Sequence, residues 1–181
     1  MPQETDRLIV ITGGPGSGKT SLIEALAAHG HVVRPEAGRA IIREQQANGG
    51  RGLPWIDPAL FAELMLAADL RSHAEARAGG ERVFFDPGLP DIAGYLALCG
   101  LPVPGPVERA ARELRYRRTV FIAPPWRGIF SQDAERKQDF AESERTCAVM
   151  AETYPRYGYA LVELPRVSVA ERVSFVLGRM S

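Results

Sequence analysis

The chain has 181 residues, 45% of them hydrophobic and 24% charged, which suits one globular domain and excludes disordered and collagen-like classes. Lys plus Arg and Asp plus Glu both number 22, so the formal net charge is zero, which argues against bulk duplex DNA or an anionic membrane surface as partner. Cys99 and Cys147 make no disulfide framework and have no companion at metal-ligand spacing. No apolar run approaches the ~20 residues of a membrane span, so the expectation is a soluble, cytoplasmic protein.

Short apolar runs alternate with longer helix-period segments, the pattern of an α/β domain with a parallel sheet. The runs at 8–12, 31–34, 82–86, 119–123 and 159–164 are the expected strands. A helix opens at Gly18 and stops near Gly30, with Leu22, Ile23, Leu26 and Ala27 on one face. The stretch 48–52, Asn-Gly-Gly-Arg-Gly, reads as a turn between helical segments. Asp57-Pro58 is an N-cap followed by proline at the first helical position; this helix turns Leu60, Phe61, Leu64 and Ala68 inward and ends before Gly79-Gly80. Asp91 reads as the N-cap of a helix starting at Ile92. The segment 124–138 is a charged surface loop of the kind that serves as a lid. The last helix begins with a capping box, Ser168 and Glu171, and its stripe of Val169, Val173, Val176, Leu177 and Met180 closes the core. Trp55, Tyr157 and Tyr159 are assigned to packing, and His29, His31 and His73 share no ligand spacing.

Chemistry concentrates at Gly13-Gly14-Pro15-Gly16-Ser17-Gly18-Lys19-Thr20, a full match to G-x-x-x-x-G-K-[ST]. Glycines let the backbone fold back so that successive N–H groups face phosphate oxygens, and the following helix aims its positive end at the same anion. Lys19 is expected on the β- and γ-phosphates, and the Thr20 hydroxyl, with Ser21 beside it, near Mg²⁺. At background composition such a match arises by chance roughly once per few tens of thousands of positions. Here it also sits between a strand and an amphipathic helix, as the motif requires. The ligands expected are therefore a nucleoside triphosphate, ATP, and Mg²⁺.

Three further groups are candidates. Asp86 ends a strand, where a carboxylate can hold Mg²⁺ opposite Thr20; capping the turn into Pro87-Gly88 is its structural alternative. Glu36 follows the second strand and could take the proton of an attacking hydroxyl, with Arg39 one turn on to hold a substrate anion; a dipole-stabilised first helical turn is its alternative. Arg127, Arg136 and Lys137 in the lid-like loop are candidates to stabilise a transferred phosphoryl group, and Trp126 could stack on a base or pack the loop. Asp91 is a tentative substrate contact.

The runs 11–20, 35–39, 84–91, Pro124-Pro125-Trp126 and Asp133-Ala134-Glu135-Arg136 resemble a family of predicted P-loop ATPases. That group includes the ribosylnicotinamide-kinase domain of the bacterial NAD-biosynthesis regulator NadR. It also includes the nucleotide-binding domain of the fly TRPL translocation defect protein. The resemblance extends over nearly the whole chain. It implies a single nucleoside-kinase-like P-loop NTPase domain over 1–181, three-layered, with a five-stranded parallel sheet in the order 2-3-1-4-5. It gives Asp86 the acidic position of an Asp-Arg motif, Glu36 the base-like position and 127–136 the lid. Pro87 stands where such kinases have arginine.

The expected function is transfer of the γ-phosphoryl group of MgATP to a small hydroxyl-bearing metabolite. The alternative is an ATPase or nucleotide-dependent switch acting through a protein partner. A Ras-type switch would need Asn-Lys-x-Asp, and Asn48 is the sole asparagine. A hexameric AAA motor would call for a longer chain with a helical lid domain. Zero net charge and the lack of aromatic–basic alternation argue against nucleic acid as substrate, and a homodimer is the oligomer to look for.

Overall fold

A computed structural model describes residues 4–131 and 139–180. After one turn of 3₁₀ helix at Glu4–Arg7, the order is β1 (Leu8–Gly13), α1 (Lys19–Ala28), β2 (Val32–Arg34), α2 (Ala37–Asn48), α3 (Pro58–Ala78), β3 (Val83–Phe85) and α4 (Pro90–Leu98). It continues with α5 (Gly105–Glu113), β4 (Thr119–Ala123), α6 (Phe140–Arg156), β5 (Ala160–Glu163) and α7 (Val169–Gly178). The strands form one parallel sheet in the order β2-β3-β1-β4-β5, as expected. Leu8 pairs with Val83 on one side of β1, and Ile11 with Phe121 on the other.

The central strand explains the layering. Every residue of β1 is buried, which only a sheet covered on both faces allows. Alternation along the strand then sorts its side chains. Leu8 and Val10 join a core with Val83, Phe85, Ile92, Leu96, Val120, Ile122 and Tyr154, under α3 to α6. Ile9 and Ile11 join Leu22, Leu26, Phe84, Phe121, Val173 and Val176, under α1 and α7. A third cluster of Ile41, Ile42, Leu53 and Phe61 locks α2 against α3. No helix among the described residues is long and apolar enough to cross a membrane.

Several local expectations are met with their stated chemistry. The Asp57 carboxylate accepts from the Leu60 N–H at 3.0 Å and Pro58 opens α3. Both halves of the Ser168–Glu171 capping box are made. Others need correction. Trp55, in the connection between α2 and α3, is 55% exposed rather than packed, and the α2–α3 contact is made by Ile41, Ile42, Leu53 and Phe61 without it. Val169 occupies the first position of α7, beyond the edge of the core, and is exposed. Asp91 caps no helix: α4 begins one residue earlier at Pro90 with Leu89 at its cap, and the Asp91 carboxylate turns inward instead. α5 carries no strong sequence signal beyond its opening proline.

Candidate functional site

Three glycines shape the loop between β1 and α1. Gly16 and Gly18 take positive φ of 68° and 86°, a region that side-chain-bearing residues avoid. Gly14 has no space for a Cβ because the backbone carbonyl of Ser143 on α6 lies against it. The Lys19 ammonium donates to the loop's own carbonyls, Gly13 O at 2.9 Å and Gly14 O at 2.7 Å. The Ser17 hydroxyl donates to Gly14 O at 2.7 Å. Thr20 and Ser21 follow on the exposed side of the first turn of α1.

Beside the loop lies a cavity of about 110 Å³, lined by Thr20, Ile23, Glu24, Pro35, Glu36, Arg39 and Asp86. Its position follows from topology: β2 and β3 are adjacent and parallel, so the residues just past their carboxyl ends meet there. Four sequence candidates from three separate stretches are thereby brought together. Glu36 stands at the N-cap position of α2 without a side-chain cap bond, and Arg39 Nε lies 3.5 Å from its Oε2. The i,i+3 spacing places the pair on one edge of that helix.

Asp86 is 4% exposed, and its Oδ1 has no hydrogen-bond partner among the described residues. Burial pushes its carboxyl up to about 7, the Lys19 ammonium opposing and Glu36 reinforcing the shift. An orphaned buried oxygen of this kind calls for a cation or a proton. No cluster of three or more His, Cys, Asp or Glu able to cage a metal occurs among the described residues. One carboxylate and one hydroxyl suit a hard ion that keeps phosphate oxygens and water as its other ligands.

Asp91 is not among the residues that line this cavity. Its two oxygens accept from the Thr12 hydroxyl at 2.6 Å and from the Tyr154 hydroxyl, so neither is presented at the cavity wall. Burial raises its carboxyl to about 6 despite these bonds. Asp69 on α3 joins the same acidic region: burial, then Asp91 and Glu36, raise it to about 7. Sequence reasoning missed Asp69, which sits in α3 as an ordinary polar position, and only the carboxylates from other elements give it significance.

The segment after β4 leans on the loop. Phe130 would stand 2.5 Å from a Cβ at Gly16, and the Ile129 Cδ1 2.9 Å from one at Gly18. Arg127 lies over the ring of Phe140 at 4.1 Å, at the head of α6, and Phe130 meets the same ring edge-on. Trp126 faces Arg172 of α7, whose guanidinium is 5.3 Å from its ring. Arg136 and Lys137 lie outside the described residues.

A family model described as an AAA domain, AAA_28, matches residues 8–172, a span that runs from the first strand to α7. The chain belongs to the AAA_28 family. The expectation against a hexameric motor concerns assembly, which membership in AAA_28 does not address. No curated protein matches the chain in sequence. Among solved structures, the deoxyadenosine kinase of M. mycoides with bound dATP is similar at a TM-score of 0.62 and 13% identity, over 96% of this chain and 98% of that one. The same enzyme with bound dCTP is similar at 0.58 and 14% identity, over 95% of this chain and 97% of that one. At such identities the likeness is one of fold: this AAA_28 chain has the architecture of a nucleoside-kinase P-loop protein.

Proposed function

We propose that the protein is an ATP-dependent phosphotransferase that moves the γ-phosphoryl group of ATP to a hydroxyl of a small, nucleoside-like metabolite. The observation that carries this reading is the meeting of Thr20, Glu36, Arg39 and Asp86 around one cavity at the edge of the phosphate loop. Beside Thr20 and Asp86, which any MgATP site could use, the cavity carries Glu36 and Arg39, a base and a cation for which ATP hydrolysis alone has no need.

The roles follow from chemistry and position. The loop from Gly13 to Thr20 and Ser21 wraps the triphosphate, and Lys19 exchanges its two carbonyl partners for the β- and γ-phosphate oxygens. Thr20 and Asp86 are the residues that would hold Mg²⁺, which when bound neutralises charge on the phosphates. Asp86 loses its proton on taking up that role. Glu36 accepts the proton of the attacking hydroxyl as the new P–O bond forms and the bond to the ADP oxygen breaks. Arg39 aligns Glu36 and pairs with an anionic part of the acceptor. The segment 124–138 acts as the lid, with Arg127 leaving Phe140 and Arg136 joining it to stabilise charge on the phosphoryl group. Pro87 at the position after Asp86 removes one arginine from such a site, and Arg39, which lines the same cavity as Asp86, supplies a cation in its stead.

Kinship with the ribosylnicotinamide-kinase domain of NadR and the TRPL translocation defect protein is part of this proposal, as are a single catalytic domain over 1–181, a cytoplasmic location and possible pairing of two copies. The likeness to deoxyadenosine kinase supports a nucleoside-like acceptor.

The test is ADP release from MgATP by the wild type and Lys19→Ala, alone and with pooled nucleosides, nicotinamide riboside and sugars. A strong rise with one pool, abolished in Lys19→Ala, is the expected result. Slow Lys19-dependent hydrolysis indifferent to every pool would replace the kinase with a nucleotide-dependent switch.

A further inference from the structure

Arg172 of α7 is 1% exposed, one of the largest fully buried side chains in the protein. Its Nη1 donates to the carbonyl of Ser17 at 2.9 Å, and its Nε to that of Pro165 at 2.8 Å. Nη2 is buried without a hydrogen-bond partner, and no carboxylate among the described residues pairs with the guanidinium. A buried arginine held only by carbonyls and an indole face is costly in a molecule with nothing to offset its charge. The same Nη1 would stand 3.1 Å from a Cβ at Gly18, so this charge lies against the phosphate loop itself.

The peptide geometry says what the contact accomplishes. In a planar trans peptide the C=O and the following N–H point in opposite directions. Holding the Ser17 oxygen toward α7 therefore turns the Gly18 N–H away from α7. Two peptides earlier, the Ser143 hydroxyl of α6 donates to the Pro15 oxygen at 2.6 Å, which turns the Gly16 N–H away from α6 in the same manner. The two carbonyls that would otherwise face an anion with their negative ends are thus tied outward by donors from two helices.

We propose that Arg172 is a positioning residue of the phosphate loop: it fixes the Ser17 carbonyl outward, leaves the Gly18 N–H for the phosphates, and completes its own electrostatics only when the loop holds a polyphosphate. This rests on the reading of residues 13–20 as a triphosphate site. The bound anion neutralises the buried guanidinium, so loop and arginine stabilise one another in the loaded state and neither does so fully without it.

The probe is inorganic tripolyphosphate with Mg²⁺, titrated calorimetrically into wild type, Arg172→Met and Arg172→Lys, with the ligand-free Tm measured on each. Folded Arg172→Met should bind the probe roughly 10- to 100-fold more weakly, the range of a lost hydrogen bond to a charged group. Its ligand-free Tm should equal or exceed that of wild type, because an uncompensated buried charge has gone. Arg172→Lys keeps the charge but cannot reach both carbonyls, and should fall between the two; it decides the matter if Arg172→Met does not fold. A residue that only packs would show the reverse: a lower Tm and unchanged affinity, which overturns the inference. A wild type that does not bind tripolyphosphate would overturn the phosphate-loop reading itself, an outcome separate from equal binding by all three.

Discussion

Asp86 has opposed effects on stability and on chemistry. Its folded carboxyl titrates near 7, well above the ~3.9 of an unfolded aspartate, so the ionised form opposes folding. Its contribution to stability is therefore fullest below pH ~4 and is lost as the pH rises through 7. Asp86→Asn should stabilise the ligand-free protein at pH 8 by on the order of 2 kcal/mol, read from chemical denaturation, while abolishing Mg²⁺-dependent turnover. A destabilised Asp86→Asn would mean that the carboxylate is balanced by Lys19 more completely than its burial suggests. Glu36→Gln isolates a different step. It should keep MgATP affinity and lower kcat by roughly 100- to 10,000-fold, the usual worth of a general base. Equal loss in binding would move Glu36 from proton transfer to the metal. Both residues were legible as strand-end carboxylates. Asp69 was not, because its neighbours Asp91 and Glu36 come from other elements and a helical aspartate carries no sign of what it faces. Asp91 misled for a related reason: an Asp after Leu89-Pro90 has cap chemistry, yet Thr12 and Tyr154 offer it two buried donors instead.

Among the elements, β1 and β4 could be read almost to the residue, since a doubly covered sheet leaves unbroken apolar runs in its central strands. The spacing of the final helix says only that it closes the core. Its apolar stripe does close the core through Val173, Val176 and Met180, but Arg172, at the edge of that stripe beside Val176, reaches the phosphate loop. That contact spans 155 positions, and neither spacing nor composition records it. The capping box gains a second meaning from this. Ser168 and Glu171 set the start of α7 at Val169, in the same first turn as Arg172. Ser168→Ala should cost ~1 kcal/mol of stability, as cap losses do, measured by the shift in denaturation midpoint. It should also weaken polyphosphate binding through the looser first turn. Gly14→Ala acts on α6 in turn. A methyl there meets the Ser143 backbone, which cannot move aside as a side-chain tip could, so both the Tm and nucleotide binding should fall. Retained nucleotide affinity in a folded Gly14→Ala protein would show that the loop and α6 can separate without consequence.

Across the whole molecule, the acidic residues Asp69, Asp86 and Asp91 and the cation-lined loop form one titrating unit behind the sheet's carboxyl edge. Burial raises all three carboxyls, to about 7, 7 and 6, so the folded ligand-free protein holds protons near neutrality that the unfolded chain has released. Its stability should consequently decline between pH ~4 and ~7 as these groups ionise in the unfolded chain ahead of the folded one. Binding of MgATP places positive charge beside Asp86 and should expel part of this proton load. Calorimetry at pH 7 in two buffers of different ionisation enthalpy should therefore give different apparent heats, with net proton release. Equal heats in both would mean that Asp86 is already ionised before the metal arrives.

Trp126 lies against the Arg172 guanidinium, and the chain's other indole, Trp55, stands in solvent on the connection between α2 and α3. The protein thus carries its own optical gauge of the loaded state. In Trp55→Phe every photon of indole emission comes from the ring next to the phosphate loop, and its intensity should follow MgATP occupancy in real time, whereas Trp126→Phe should be blind to it.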